Sequence, residues 1–425
     1  MLNASSLKAV KSAKFSQRFV KPLYDSYCFS NIPQAIESLL TGHGQGALPG
    51  DVFGHLPTKY TKVILFFVDA FGWRFFERYA DKYEFLKIVL KDGVVSKLTS
   101  QFPSTTAAHA TCIHTGLDVA QSGVYEWNYY EPLIDEMISP LLFSYAGDKL
   151  RDTLKASSFP ATAFYPTSTV YQGLQARGIQ SHVFQSSVFT PSTYSNIVFR
   201  GAHVVPYRTV PEAFIALSEL VLSEKASPGY YCSYFDQIDY ICHHYGPNSS
   251  QFEKEVDTFL RAMDQLLYRR IMGQSRDTLL MITADHGQVE VDPKKTYFLN
   301  IHITGIERYL RTNQQGKVLV AAGSARDMFL YVKDGFIDEF LALLQHQLAG
   351  RAEVYRTQEL LAQGFFGLHT PSSAFLGRLG NIVILPYPDE TVWWYEEGRF
   401  DMRFLGHHGG LTPEEMEIPL LLLAL

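Results

Sequence analysis

The sequence predicts an α/β fold, a mostly parallel sheet flanked by helices, with a small αβ subdomain inserted late in the chain. Two short apolar runs carry the prediction, Lys62–Val68 (KVILFFV) and Leu279–Thr283 (LLMIT), which have the pattern of strands buried on both faces. Each passes at once into a polar or glycine-bearing junction: Asp69 after the first, Ala284-Asp285-His286-Gly287 after the second. Helical stretches recur between such runs, and this alternation is what crossover helices of a parallel sheet require.

Along the chain, residues 1–60 read as an N-terminal extension packed on the core, with one amphipathic helix in Tyr27–Leu40. Residues 61–293 are the first part of the catalytic core. There Phe71–Tyr79 reads as helical, and Tyr230–Phe235 (YYCSYF) as a strand ahead of Asp236. Residues 294–375 have a different texture: apolar runs at Lys317–Ala322 and Met328–Val332, a helical Ile337–Leu348 and a strand near Glu353. They are expected to form the inserted αβ subdomain. Residues 376–425 read as the return to the core, closing on the strand Glu417–Leu423 (EIPLLLL).

A chain of 425 residues can bury a large core, and 46% hydrophobic with 19% charged residues is ordinary for a globular protein. The net charge of −6 argues against a nucleic-acid polymer as partner, so an anionic substrate must be drawn in by local groups. Cys28, Cys112, Cys232 and Cys242 form no CxxC pair, which argues against a zinc knuckle or redox motif and fits a reducing compartment. The first residues lack an apolar signal core, and no run approaches the ~20 apolar residues of a membrane span. A cytoplasmic enzyme without a membrane partner is the expectation.

Five segments place metal-ligating or hydroxyl side chains at strand ends, where sites assemble in open α/β sheets. Asp69 follows the first strand; alone, it reads equally as a helix cap. Phe102–His109 (FPSTTAAH) puts hydroxyls at a helix start, where backbone N–H groups favour an anion. Asp239 and His243, four apart, share one side of a helical turn and so can meet one ion. Asp285-His286-Gly287 follows a strand, with a glycine that permits close backbone approach. Gly406-His407-His408-Gly409-Gly410 sets two histidines in a glycine cluster that packing alone gives no reason to order.

Taken in order, these segments resemble the type I phosphodiesterase and nucleotide pyrophosphatase branch of the alkaline phosphatase superfamily. The residues that carry the likeness are Asp69, Phe102-Pro103-Ser104-Thr105-Thr106 with Thr115-Gly116, and Asp239 and His243 before Tyr245-Gly246-Pro247. Asp285-His286-Gly287 and Gly406-His407-His408-Gly409 complete it. The likeness covers about residues 60–295 and 376–425. It implies an alkaline phosphatase-like core and hydrolysis of phosphate diesters in a small phosphorylated substrate, through a phospho-threonine on Thr106. Its spacing to Thr115-Gly116 favours Thr106 over Thr105.

The resemblance also implies two divalent metal ions, one on Asp239, His243 and His408, the other on Asp69, Asp285, His286 and Thr106. Mixed His/Asp sites suit zinc, and manganese accepts the same donors. His244 and His407 are expected to orient ligands from behind. Three residues after Thr106, where the resemblance leads us to expect an asparagine on the phosphoryl oxygen, stands His109, expected to donate a hydrogen bond in its place. A phosphomonoesterase or phosphonate hydrolase with the same metal pair is the alternative. A binding protein on a decayed scaffold is disfavoured by the complete ligand set, and a sulfatase by Cys112 being followed by Ile113-His114.

Overall fold

The computed structural model describes residues 1–44, 46–223 and 227–425. The main sheet holds seven strands: Lys62–Val68 (β1), Val94–Thr99 (β2), Gln180–Ser186 (β3), His203–Tyr207 (β4), Gly229–Phe235 (β5), Thr278–Thr283 (β6) and Glu417–Ala424 (β7). Their order is β2-β7-β6-β1-β5-β3-β4. The two apolar runs that predicted the fold lie side by side in parallel, Phe67 facing Thr283, and every residue of both strands is buried. Only β7 runs against its neighbours, β2 and β6. The carboxyl ends of β1, β2, β5 and β6 therefore share one edge, and the chemistry-bearing segments emerge there.

The faces of the sheet are sealed by aromatic packing. Phe66 on β1 stacks on Phe235 of β5 with ring centroids 5.6 Å apart, and Phe235 in turn meets Phe259 at 5.3 Å. Each buried ring of this kind contributes roughly 1.5–3 kcal/mol relative to exposure. The N-terminal segment packs on the core, as its apolar helix face requires. Helix Ile32–Thr41 buries Ile32, Ile36, Leu39 and Leu40, while Leu2 and Cys28 form bridges to Val95 and Thr99 of β2.

The inserted αβ unit differs from expectation at its end. Its three strands are Met328–Leu330, Ala352–Arg356 and Ile382–Pro386, with helix Ile337–Gln347 between the first two. Ile382–Pro386 was expected to return to the core, yet it is the central strand of this small sheet, pairing Ile384 with both Met328 and Val354. The unit thus runs past residue 375. A continuous apolar run looks the same in either sheet, so its pattern could not assign it. Lys317–Ala322 makes only isolated bridges, Thr312 to Val318 and Ala322 to Phe329. The unit is tied to the segment before β7 by Arg326, whose guanidinium donates two bonds of 2.9 Å to Glu415, both side chains fully buried.

Candidate active site

Strand pairing delivers the ligands. β1 ends beside β5 and β6, and the Asp69 N–H continues the ladder to the Phe235 carbonyl at 2.9 Å. The chain then turns sharply: Ala70 has φ +60°, and its N–H donates to Asp285 Oδ1 at 3.1 Å. Asp285 and His286 are fully buried after β6. Gly287 must be glycine, because a Cβ there would lie 2.1 Å from the Glu414 carbonyl oxygen.

The Ser/Thr-rich loop follows β2 and enters helix Thr106–Thr115, which closes on Gly116 at φ +75°. Three hydroxyls precede or begin this helix, and their surroundings separate them. Ser104 donates to the Gly410 carbonyl at 2.7 Å, and Thr105 is 2% exposed. Thr106 alone of these is half-buried, and its Oγ1 lies 3.4 and 3.5 Å from the Asp69 carboxylate oxygens and 3.4 Å from His286 Nε2.

Two trios of donor atoms converge around it. Asp239, His243 and His408 form one, and Asp69, Asp285 and His286 the other, with the atoms of each trio within 4.8 Å of one another. With Thr106 added to the second, these are the residues of the two sets the resemblance implied. The trios adjoin, since the His286 and His408 rings stack with centroids 3.6 Å apart. Each imidazole is fixed through Nδ1 on a backbone carbonyl: His243 on Gly406 at 2.7 Å, His408 on Ser104 at 2.9 Å, His286 on Gly287 at 3.0 Å. That leaves every Nε2 facing its trio, the orientation that metal-ligating histidines need.

Electrostatics test whether cations fit. Burial and the neighbouring charges of Asp285 and Asp239 push the Asp69 carboxyl well above its ordinary range, against the Tyr234 hydroxyl that donates to it. Burial likewise raises Asp285 to about 7, and among the described residues its Oδ2 has no hydrogen-bond partner. Burial also works to raise Asp239, but the adjacent His243 outweighs it and holds that carboxyl below its usual range. Burial lowers His286 to about 3 and His408 well below normal, so both are neutral donors. Two buried carboxylates and a half-buried one, an orphaned oxygen and two neutral imidazoles fit a pair of divalent cations.

Three expected roles change. His109 is fully buried: its Nδ1 donates to the Thr105 carbonyl at 2.7 Å and its Nε2 accepts from the Gln101 N–H at 2.9 Å. Burial lowers it to about 3, so it is a neutral strut between the β2 loop and the helix, with no hydrogen left for a phosphoryl oxygen. His244 is exposed, bonded to the Tyr240 carbonyl and packed on the Tyr240 ring, away from any ligand. Among the described residues the His407 side chain bonds only to the backbone of His408. The groups that hold the ligands are instead three carbonyls, the Tyr234 hydroxyl on Asp69 and the Gln288 amide on Asp239.

A cavity of about 530 Å³ opens over Thr106. Asn128 lines it; its Oδ1 accepts from Ser139 Oγ at 2.6 Å, which aims the amide and leaves Nδ2 without a partner among the described residues. Sequence reasoning missed Asn128, because nothing near it in the chain marks it.

The comparisons bear on the fold and the family. The central sheet and its flanking helices match solved ectonucleotide pyrophosphatase/phosphodiesterase 5 structures. For the inactive murine protein in complex with AMP the TM-score is 0.62 at 17% identity, over 84% of this chain and 87% of that one. For the human protein it is 0.62 at 17% identity, over 85% and 87%. At that identity the likeness shows the fold alone, an alkaline phosphatase-like α/β architecture. Among curated proteins none is similar enough in sequence to count as a relative. The family model described as type I phosphodiesterase / nucleotide pyrophosphatase matches residues 63–411, most of the chain. The chain belongs to the type I phosphodiesterase / nucleotide pyrophosphatase family.

Proposed function

We propose that the protein is a two-metal hydrolase of phosphate diesters that works through a phospho-threonine on Thr106. One observation carries the reading: the Thr106 hydroxyl is half-buried at a helix N-terminus, within 3.5 Å of Asp69 and His286, where a buried and a half-buried trio of candidate ligands meet. Asp239, His243 and His408 would hold one ion, and Asp69, Asp285 and His286 with Thr106 the other. Zinc is the ion these donors suit best, with manganese next. When bound, such a pair supplies positive charge that lowers the pKa of a hydroxyl and stabilises a leaving oxygen in line with it.

The chain does the rest. Thr106 Oγ1 attacks phosphorus, a new O–P bond forms, and the bond to the leaving alcohol breaks with its electron pair; the alcohol takes up a proton. Water then attacks the phospho-threonine, restoring the hydroxyl and releasing a monoester. The Asn128 amide donates to a non-bridging oxygen as charge builds there. A small phosphorylated substrate fits a cavity of about 530 Å³, and the room beside Thr106 for a second substituent favours a diester over a monoester. Arg74 does not supply the extra charge a monoesterase needs, because it is not among the residues lining that cavity; it donates to the Gln288 carbonyl. Turnover of bis(4-nitrophenyl) phosphate well above that of 4-nitrophenyl phosphate is expected; the reverse order would assign a phosphomonoesterase.

A further inference from the structure

The cavity continues away from Thr106 along its own helix. Thr106, Ala110 and His114 recur every four residues, share one helix face and all line the space, a run of about 12 Å. Tyr194 and Phe199 pack beside it: the Tyr194 hydroxyl is 3.0 Å from Thr111 Oγ1, and the Phe199 ring meets His114 edge-on at 4.7 Å. Leu141, Leu142 and Phe189 add further apolar wall.

One cation stands in that wall without an ion pair of its own: the adjacent Asp152 acts on it, but that carboxylate is bonded to Lys155 at 2.7 Å. Arg151 lines the cavity with its guanidinium carbon 5.2 Å from the centroid of the Phe189 ring. Among the described residues it has no hydrogen-bond or ion-pair partner. The other cavity arginine, Arg399, is committed to Glu396 and the Ala146 carbonyl, both at 2.8 Å, and Asp401 is paired with Arg403 at 2.6 Å. A planar fork laid on an aromatic ring and left unpaired is pre-arranged for a carboxylate or phosphate.

We propose that the second ester substituent of the substrate is an apolar or aromatic group ending in an anion, a carboxylate or a phosphate, and that Arg151 holds that anion. The proposal rests on the diesterase reading and sharpens it into a substrate class. The cavity face along Thr106, Ala110 and His114 accepts the body of the substituent, and the guanidinium reads its end.

The test is a matched set of 4-nitrophenyl phosphodiesters whose second alcohol ends in a carboxylate, a phosphate or the neutral carboxamide. The metal-loaded protein should favour the anionic members by about fivefold in kcat/KM, the scale of one partly exposed charge pair. Arg151→Gln should bring that ratio close to one, and Arg151→Lys should restore part of it. The larger of the carboxylate and phosphate ratios identifies the anion. A carboxamide turned over as fast as the anionic members, or a preference unmoved by Arg151→Gln, overturns the proposal. Bis(4-nitrophenyl) phosphate carries no such anion and reports on the diesterase reading alone. Equilibrium binding of the carboxylate and carboxamide forms to Thr106→Ala decides the role of Arg151 even if no diester is turned over.

Discussion

At the scale of single residues, the site separates side chains that look alike in the chain. Ser104, Thr105 and Thr106 are consecutive hydroxyls, yet only Thr106 is half-buried and faces the Asp69 carboxylate. Thr106→Ala should lower kcat by on the order of 10³-fold or more while both metals stay bound, checked by stopped assays and elemental analysis. Surviving activity would move the nucleophile elsewhere. Asn128→Ala should cost about 10²–10³ in kcat with metal content intact, the usual loss for one oxyanion donor. His114 makes a different, thermodynamic prediction. Burial lowers it from 6.5 to about 3, so between those values the unfolded chain binds a proton that the folded one does not. Its contribution is therefore present above pH 6.5 and lost as pH falls towards 3. From pH 7 to pH 5 that loss is about 2 kcal/mol. His114→Phe should show a correspondingly smaller drop in urea-derived stability over the same interval, and an unchanged drop would mean that His114 is charged in the fold.

At the scale of elements, close approach of backbone fixes the ligands. The DHG and GHHGG segments meet across the sheet edge, where Gly406 would bring a Cβ to 2.4 Å from Gln288 Oε1 and 2.5 Å from the Cys242 carbonyl. The same crowding at Gly287 means that Gly287→Ala must push the Glu414–Glu415 backbone away and disturb His286. A loss of metal greater than the loss of helix content is expected, read by elemental analysis beside circular dichroism. The buried Arg326–Glu415 pair does similar work between the small sheet and the segment before β7. Glu415→Ala would leave a buried guanidinium without its partner and should destabilise the fold by about 3–5 kcal/mol, measurable in denaturant.

At the scale of the whole molecule, the two trios join parts of the chain that are far apart: Asp69 on β1, the helix after β5, the turn after β6 and the loop before β7. Cations held among them would act as cross-links present only in the folded state. Removing them with a chelator should lower Tm, by an amount equivalent to about 4 kcal/mol for metal held at a thousand times its dissociation constant. Zinc or manganese added back should restore it, and a Tm indifferent to chelator would argue against bound ions.

The sequence by itself determined the parallel core and singled out the candidate ligands that the fold brings together. Strand-end carboxylates, the Thr106 loop and the paired histidines each carry a local pattern, and their order along the chain is a signal that no single one provides. It could not determine which way a side chain faces. His109 sits where an oxyanion donor was expected, but burial and two bonds to the backbone make it a strut. Asn128, 22 residues beyond Thr106, reaches the cavity only because the tertiary structure brings it there. Ile382–Pro386 likewise has the composition of any buried strand, and only pairing energy chose the small sheet over the large one. Period and composition record how a segment is buried. The partner it is buried against is decided by contacts between distant segments, and those exist only once the chain has folded.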